Sequence, residues 1–170
     1  MKKYISYFIA GFIAFFAMAP QSFAGTLNLV TDKTQFAIGD EFNVDVKIDS
    51  EGVGINAAQA TVNFPVSVLQ EKAADKSNSV FTFWLQEPVA DNAAGNISFI
   101  GGSGSGLTGK TLQTLRITFK VVGSGTADIS FSDGAITASD GNGTNVLSVM
   151  KGIQITSITK QEAARIIPAP

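Results

Sequence analysis

Asp140, Asn142 and Thr144 place three side-chain oxygens at alternate positions, a spacing that could ligate a hard cation such as calcium. An EF-hand loop would continue with Gly at its sixth position and Glu at its twelfth, but those positions are Asn145 and Lys151. The segment therefore reads as a turn made of turn-forming residues, with calcium held by more distant ligands as the alternative. No other cofactor is expected. Asp40, Glu41, Asp45, Asp49 and Glu51 supply carboxylates, yet they lie along one strand and its ends, where a solvated surface explains them. A glycosidase needs two carboxyls facing each other across a cleft, and no spacing here tests that. The sequence has no His and no Cys, which removes the commonest general base, the commonest metal ligand and a thiolate nucleophile. Glycines alternate from Gly101 to Gly106, but strand rather than helix is expected to follow, so a flexible turn is the better reading than a phosphate loop. No enzyme is expected, and no catalytic residue is assigned.

Binding chemistry narrows the same way. Lys2 and Lys3 precede an apolar run from Tyr4 to Ala19, and small residues at Ser22 and Ala24 follow it, the pattern of a secretory signal peptide cut before Gly25. The run falls short of the about 20 apolar residues of a membrane span, and no Cys follows it to take a lipid. The expected organisation is a leader over 1–24, one domain over 25–158 and a tail or linker over 159–170. The product is expected to be secreted, extracellular or in the cell envelope. Both tyrosines and five of the 13 Phe leave with the leader, and so do two lysines, so 14 acids face ten bases. That charge is no footprint for nucleic acid or an anionic membrane. Flat polysaccharides are usually gripped by several coplanar rings, and the mature chain offers Trp84 and no Tyr. A cellulose-type platform is not expected; a shallow site for one sugar chain around Trp84 is the narrower alternative.

These residues must be positioned by strands. Phe42, Val44, Val46 and Ile48 alternate with Asn43, Asp45 and Lys47, the mark of a strand with one buried face. Ala58, Ala60, Val62 and Phe64 alternate with Ala57, Gln59, Thr61 and Asn63, and Pro65 ends that strand in a hook that should return Val66, Val68 and Leu69 to the core. Further strands are predicted at Thr26 to Val30, Val80 to Leu85, Asn96 to Ile100, Thr114 to Val121, Ala127 to Phe131, Ala135 to Ala138 and Val149 to Ile158. In Val80 to Leu85, the residues Phe81, Phe83 and Leu85 share one face, and Val80, Thr82 and Trp84 the other. Gly123 to Gly125 reads as a hairpin turn. Gln70 to Asn78 could hold a helical turn, Gln86 to Gly95 reads as a loop, and Lys160 to Ile167 could form a brief helix before a Pro-rich linker. Nine short strands with turn signals every 8 to 12 residues make an all-β fold, a β-sandwich.

The order of these features resembles a bacterial cohesin domain. The resemblance rests on Ile38 to Phe42 opening an alternating strand, Asn56 and Ala57 opening another, and Phe64 to Leu69 as its hook. It continues through Ser98 to Gly102, Leu115 to Lys120 and Asp140 to Thr144. It implies a nine-stranded jelly-roll sandwich and a non-catalytic module that binds a dockerin-like protein partner through one sheet face, linked to polysaccharide utilisation. It also implies partner contacts at Ala57, Gln59, Thr61, Trp84, Gly101 and Gly102. At the outward positions where dockerin-binding members carry Asn and Asp, this chain has Ala57 and Gln59, and its hook reads Phe64, Pro65, Val66. The mature protein is expected to be a monomer, with a polysaccharide ligand or a structural envelope role as the alternatives.

Overall fold

A computed structural model describes residues 25–159; the leader, and the expected helix and linker after Thr159, lie outside the described residues. Among the described residues every regular element is a strand: β1 (Gly25–Val30), β2 (Gln35–Ala37), β3 (Glu41–Asp49), β4 (Ile55–Asn63), β5 (Leu69–Asp75), β6 (Phe83–Asp91), β7 (Asn96–Leu107), β8 (Leu112–Val121), β9 (Gly125–Ala138), β10 (Leu147–Lys151) and β11 (Ile153–Ile158). They form two sheets, one of five strands in the order β10-β1-β3-β8-β5 and one of six in the order β2-β11-β9-β4-β7-β6. This is the all-β jelly-roll sandwich read from the sequence, with eleven strands in place of nine.

The alternating rows point where their period sends them. Val44, Val46 and Ile48 on β3 and Leu115, Ile117 and Phe119 on β8 are fully buried from the five-stranded side. Ala58, Ala60, Val62, Ile97, Phe99 and Ile129 meet them from the six-stranded side. A chain of rings joins the sheets at one end. Phe36 of β2 stacks on Phe42 of β3 with centroids 4.1 Å apart, Phe42 meets Phe119 at 5.8 Å, and Phe119 meets Phe64 edge-on at 5.1 Å. The Pro65 hook holds by hydrogen bonds from Val68 N and Leu69 N to the Pro65 carbonyl. Val68 and Leu69 return to the core as expected, while Val66 stays exposed.

Several local expectations are corrected. Gln70 to Asp75 is strand β5 rather than a helical turn, paired to β8 at the sheet edge, where one wet face explains its polar composition. Gln86 to Asp91 belongs to strand β6, which tolerates Pro88 because it is an edge strand. Gly101 to Gly106 continues β7 instead of turning. Gly123 to Gly125 does not close a hairpin: β8 and β9 lie in different sheets, and the turn carries the chain between them. The two short strands expected at Ala127 to Phe131 and Ala135 to Ala138 are one strand, β9, interrupted by a bulge. The last strand divides at Gly152 into β10 and β11 in opposite sheets; a Cβ there would sit 2.5 Å from the Ile129 carbonyl oxygen, so only glycine lets the chain cross at this point.

On the outer face of the five-stranded sheet, Asp45 and Arg116 stand directly opposite each other on β3 and β8. The guanidinium donates Nε to Oδ1 at 2.7 Å and NH2 to Oδ2 at 2.9 Å, a bidentate pair. The Asp45 side chain is only 13% exposed, and its carboxyl is held below the ordinary carboxylate range by the Arg116 hydrogen bonds, against the opposing pull of burial.

Truncating Phe119→Ala should cost about 3–5 kcal/mol, because the ring is fully buried between Phe42 and Phe64; urea denaturation measures it. Because the folded-state pKa of Asp45 is depressed, its stabilisation is fully present above the unfolded carboxylate value of about 3.9 and is lost as pH falls through the lowered one. The stability of the native protein should therefore fall more steeply below about pH 4 than that of Asp45→Asn, with the two curves converging at the acid end; urea midpoints across pH report this.

Candidate functional site

The six-stranded sheet presents its outer face as ordered cross-strand rows. Register sets Thr137, Ala57, Gly102 and Phe83 side by side, then Ala135, Gln59, Ile100 and Gln86. Ser132, Thr61, Ser98 and Val89 follow, and then Ser130, Asn63, Asn96 and Asp91. Within these rows Asn63 Nδ2 donates to Ser132 Oγ at 2.9 Å and Gln86 Nε2 donates to Ser98 Oγ at 2.6 Å. The polar side chains are thus tied to one another and held flat on the sheet.

Of the residues singled out by sequence, Ala57, Gln59 and Thr61 do stand in this face, next to one another on β4, with Gln59 the most open. Gly101 and Gly102 are buried under aromatic rings of the neighbouring strand. A Cβ on Gly101 would meet the Phe81 ring at 2.6 Å and Trp84 at 2.9 Å, and one on Gly102 would meet the Phe83 ring at 2.6 Å. The glycines let these rings lie directly on the backbone: Phe81 and Trp84 cover Gly101 from the inner side, and Phe83 covers Gly102 and forms the surface there.

Trp84 is turned inward, the reverse of its expected phase. Phe81 precedes β6 in an irregular stretch where its N–H bonds Ser79 Oγ at 3.1 Å, so the strand alternation starts only at Phe83. Phe81 and Trp84 consequently share the inner side with ring centroids 5.9 Å apart, and Trp84 meets Phe99 at 6.2 Å. Lys76 Nζ lies 5.6 Å from the Trp84 ring and pairs with Glu87, covering the outer edge of the indole. What β6 exposes instead is Phe83, Leu85 at 78% and Val89, an apolar ridge along the sheet edge. Two bulges in the β6–β7 pairing, one at Leu85 and one after Gln86, tilt these side chains outward.

The sequence reading also passed over Asp133. It is exposed and sits at φ 52°, a left-handed conformation that non-glycine residues rarely adopt, at the bulge of β9 opposite Ala60. With Gln59, Thr61, Gln86 and Ser98 it borders a shallow notch of about 110 Å³ in the middle of the face. The available signal was the Asp133-Gly134 pair, which reads as a break between two strands and not as a bulge within one.

Charge separates the two sheets. The six strands of this sheet contain Glu87, Asp91, Asp128 and Asp133 and no Lys or Arg. The five-stranded sheet carries five acids and five bases. The net negative charge of the domain is therefore concentrated around the six-stranded sheet.

The remaining chemistry-bearing residues are occupied structurally. Asp140 accepts hydrogen bonds from Asn142 N at 2.9 Å and from Thr144 Oγ1, and these donors hold its carboxyl below the usual range. The Asp140 and Thr144 side-chain oxygens are thus bonded to each other in a closed turn, to which Asn142 contributes its backbone N–H. Asp40 Oδ2 accepts from Ala37 N at 2.9 Å and Asp49 Oδ1 from Glu51 N at 2.9 Å, so both cap turns. Burial pushes the Glu71 carboxyl up, and Asn92 spans from β6–β7 to the Glu71 backbone with bonds of 2.7 and 3.0 Å, tying the two sheet edges together. Among the described residues no group of three or more acidic, His or Cys side chains could hold a metal.

No protein-family model matches the sequence, and no curated protein matches it. Solved structures do. A cohesin module from a Clostridium perfringens family 33 glycoside hydrolase superimposes with a TM-score of 0.66 at 11% identity, over 81% of this chain and 98% of that one. A non-cellulosomal cohesin from the hyperthermophilic archaeon Archaeoglobus fulgidus gives 0.59 at 15% identity, over 86% and 99%. The type I cohesin–dockerin complex from Clostridium thermocellum gives 0.63 at 12% identity, over 82% and 99%. The chain has the fold of a cohesin domain.

Proposed function

We propose that this protein is an exported, non-catalytic docking module that binds a dockerin-type protein partner on the outer face of its six-stranded sheet. The observation that carries the reading is the composition of that face: an exposed apolar ridge of Phe83, Leu85 and Val89 beside polar rows, in a sheet with four acids and no base. Exposed apolar anchors with a polar surround are how protein interfaces gain affinity, and one sign of charge selects and steers a partner of the other. The partner accordingly presents apolar side chains flanked by Lys or Arg. Solved cohesins of the same fold in complex with dockerins support the partner class. The signal-peptide pattern supports export to the envelope or medium, where a link to polysaccharide utilisation fits such a module. The module acts as a monomer.

The alternative of a shallow site for one sugar chain around Trp84 has less support, since the indole packs on Phe81 and Phe99 beneath Lys76. The absence of His and Cys, together with carboxylates engaged in caps and ion pairs, supports a role without catalysis.

Immobilised protein should retain a dockerin-bearing protein from the secreted fraction of its own organism, and retention should weaken as salt rises. Leu85→Asp and Asp133→Lys should each lower the affinity for that captured partner about tenfold or more, with unchanged near-ultraviolet circular dichroism. Equal binding by both variants, or capture of proteins without dockerins, would refute the reading. The purified protein should release no reducing sugar from polysaccharides.

A further inference from the structure

The opposite face of the sandwich has a different chemistry. Two depressions on the outer face of the five-stranded sheet, of about 270 and 450 Å³, adjoin at Lys47, which lines both, and together they make a shallow groove from β5 across β8, β3 and β1 to β10. One end lies under the β5–β6 connection at Asn78 and Ser79, and the other reaches Asn28 and Lys151. We infer that this groove is a binding site for a neutral, hydroxyl-rich chain, an uncharged oligosaccharide, separate from the protein-binding face.

Three features select that ligand class. First, the charges balance over the groove as a whole. With Lys47 counted once, the acids Asp45, Asp75, Asp49 and Glu51 face the bases Lys47, Arg116, Lys110 and Lys151. Asp45 and Arg116 are already spent on each other, so neither is available to an anion or a cation. Second, uncharged hydrogen-bonding groups remain. Both amide protons of Gln113 are used, on Asp45 at 3.2 Å and the Leu115 carbonyl at 2.9 Å, which fixes its carbonyl oxygen in place. That oxygen and the Asn78 amide have no protein partner among the described residues. Sugar hydroxyls both donate and accept, so they satisfy such a mixed set, which a purely anionic or cationic ligand cannot.

Third, the groove crosses strands whose backbone groups are paired within the sheet. An extended peptide gains most of its affinity by adding along a free strand edge, whereas this groove runs across the strands and meets the sheet edges only at its two ends, at Asp75 of β5 and Lys151 of β10. Side chains alone are offered, as a glycan requires. No aromatic ring lines either depression, so the stacking that tightens many sugar sites is missing and binding is weak, in the millimolar range.

The test is a nitrogen-15 NMR titration of the purified protein with cellohexaose, xylohexaose and mannohexaose, with hexagalacturonate as the charged control. The expected result is saturable shifts at Lys47, Asn78 and Gln113 with at least one neutral hexasaccharide, larger than with the control, and none around Phe83 and Leu85. Asn78→Ala and Gln113→Ala should each weaken binding about fivefold, the loss of one neutral hydrogen bond. Asn78 is exposed and has no protein partner among the described residues, so its variant keeps the test valid if Gln113→Ala unfolds. Absence of shifts with all three neutral sugars would overturn the inference. So would shifts confined to the six-stranded face, preference for the charged oligomer, or undiminished binding by Asn78→Ala.

Discussion

The contact on which this architecture depends is the run of rings from Phe36 through Phe42 and Phe119 to Phe64. Its outer members come from the six-stranded sheet and its inner members from the five-stranded one. With no disulfide to hold the layers, burial of such side chains is what keeps the sheets together. The ring chain also sits where the backbone changes layer. Between β2 and β3 the chain crosses from one sheet to the other within Ile38 to Asp40, helped by Gly39 at φ 98° and the Asp40 cap on Ala37. Phe64 sits just beyond β4, where its N–H bonds the Gly95 carbonyl at 2.8 Å and Pro65 then turns the chain.

Once the layers are clamped, each sheet is left with one free face, and the two faces diverge. The six-stranded sheet combines small and polar side chains with a single apolar ridge and only acids for charge. The five-stranded sheet alternates acids and bases across β3 and β8, so its charges pair locally, as Asp45 and Arg116 do. Such segregation gives the two faces of one domain different chemistry: one apolar and acidic, the other with acids and bases in balance.

Legibility in the sequence tracked local period. Strands β3, β4 and β8 alternate cleanly, and their inner rows are the buried core. Strand β5 carried no such signal, because an edge strand with one wet face can be polar nearly throughout. The inner face of strand β6 is not legible because Phe81 lies outside the strand, so that its inward ring does not set the phase of Phe83 and Trp84, and the two bulges that follow hide the rest of the strand. Of the candidate partner residues, the β4 positions could be placed on a face by alternation alone. The β6 ridge and Asp133 could not, because both depend on bulges.

The sequence by itself determined an all-β sandwich without disulfides, a charge balance unsuited to nucleic acid, and the inner and outer rows of its regular strands, since a period of two is a property of the strand itself. Only the tertiary structure decided which strand joins which sheet. The segments around Gly123 and Gly152 read locally as a hairpin and as one continuous strand, yet both carry the chain between layers. Sheet membership, in turn, decides where charges collect and which rings are covered. Trp84 is the clearest case: its strand phase left an exposed anchor and a ring covered by the Glu87 to Asn92 segment as equal alternatives, and its neighbours Phe81, Phe99 and Lys76 cover it.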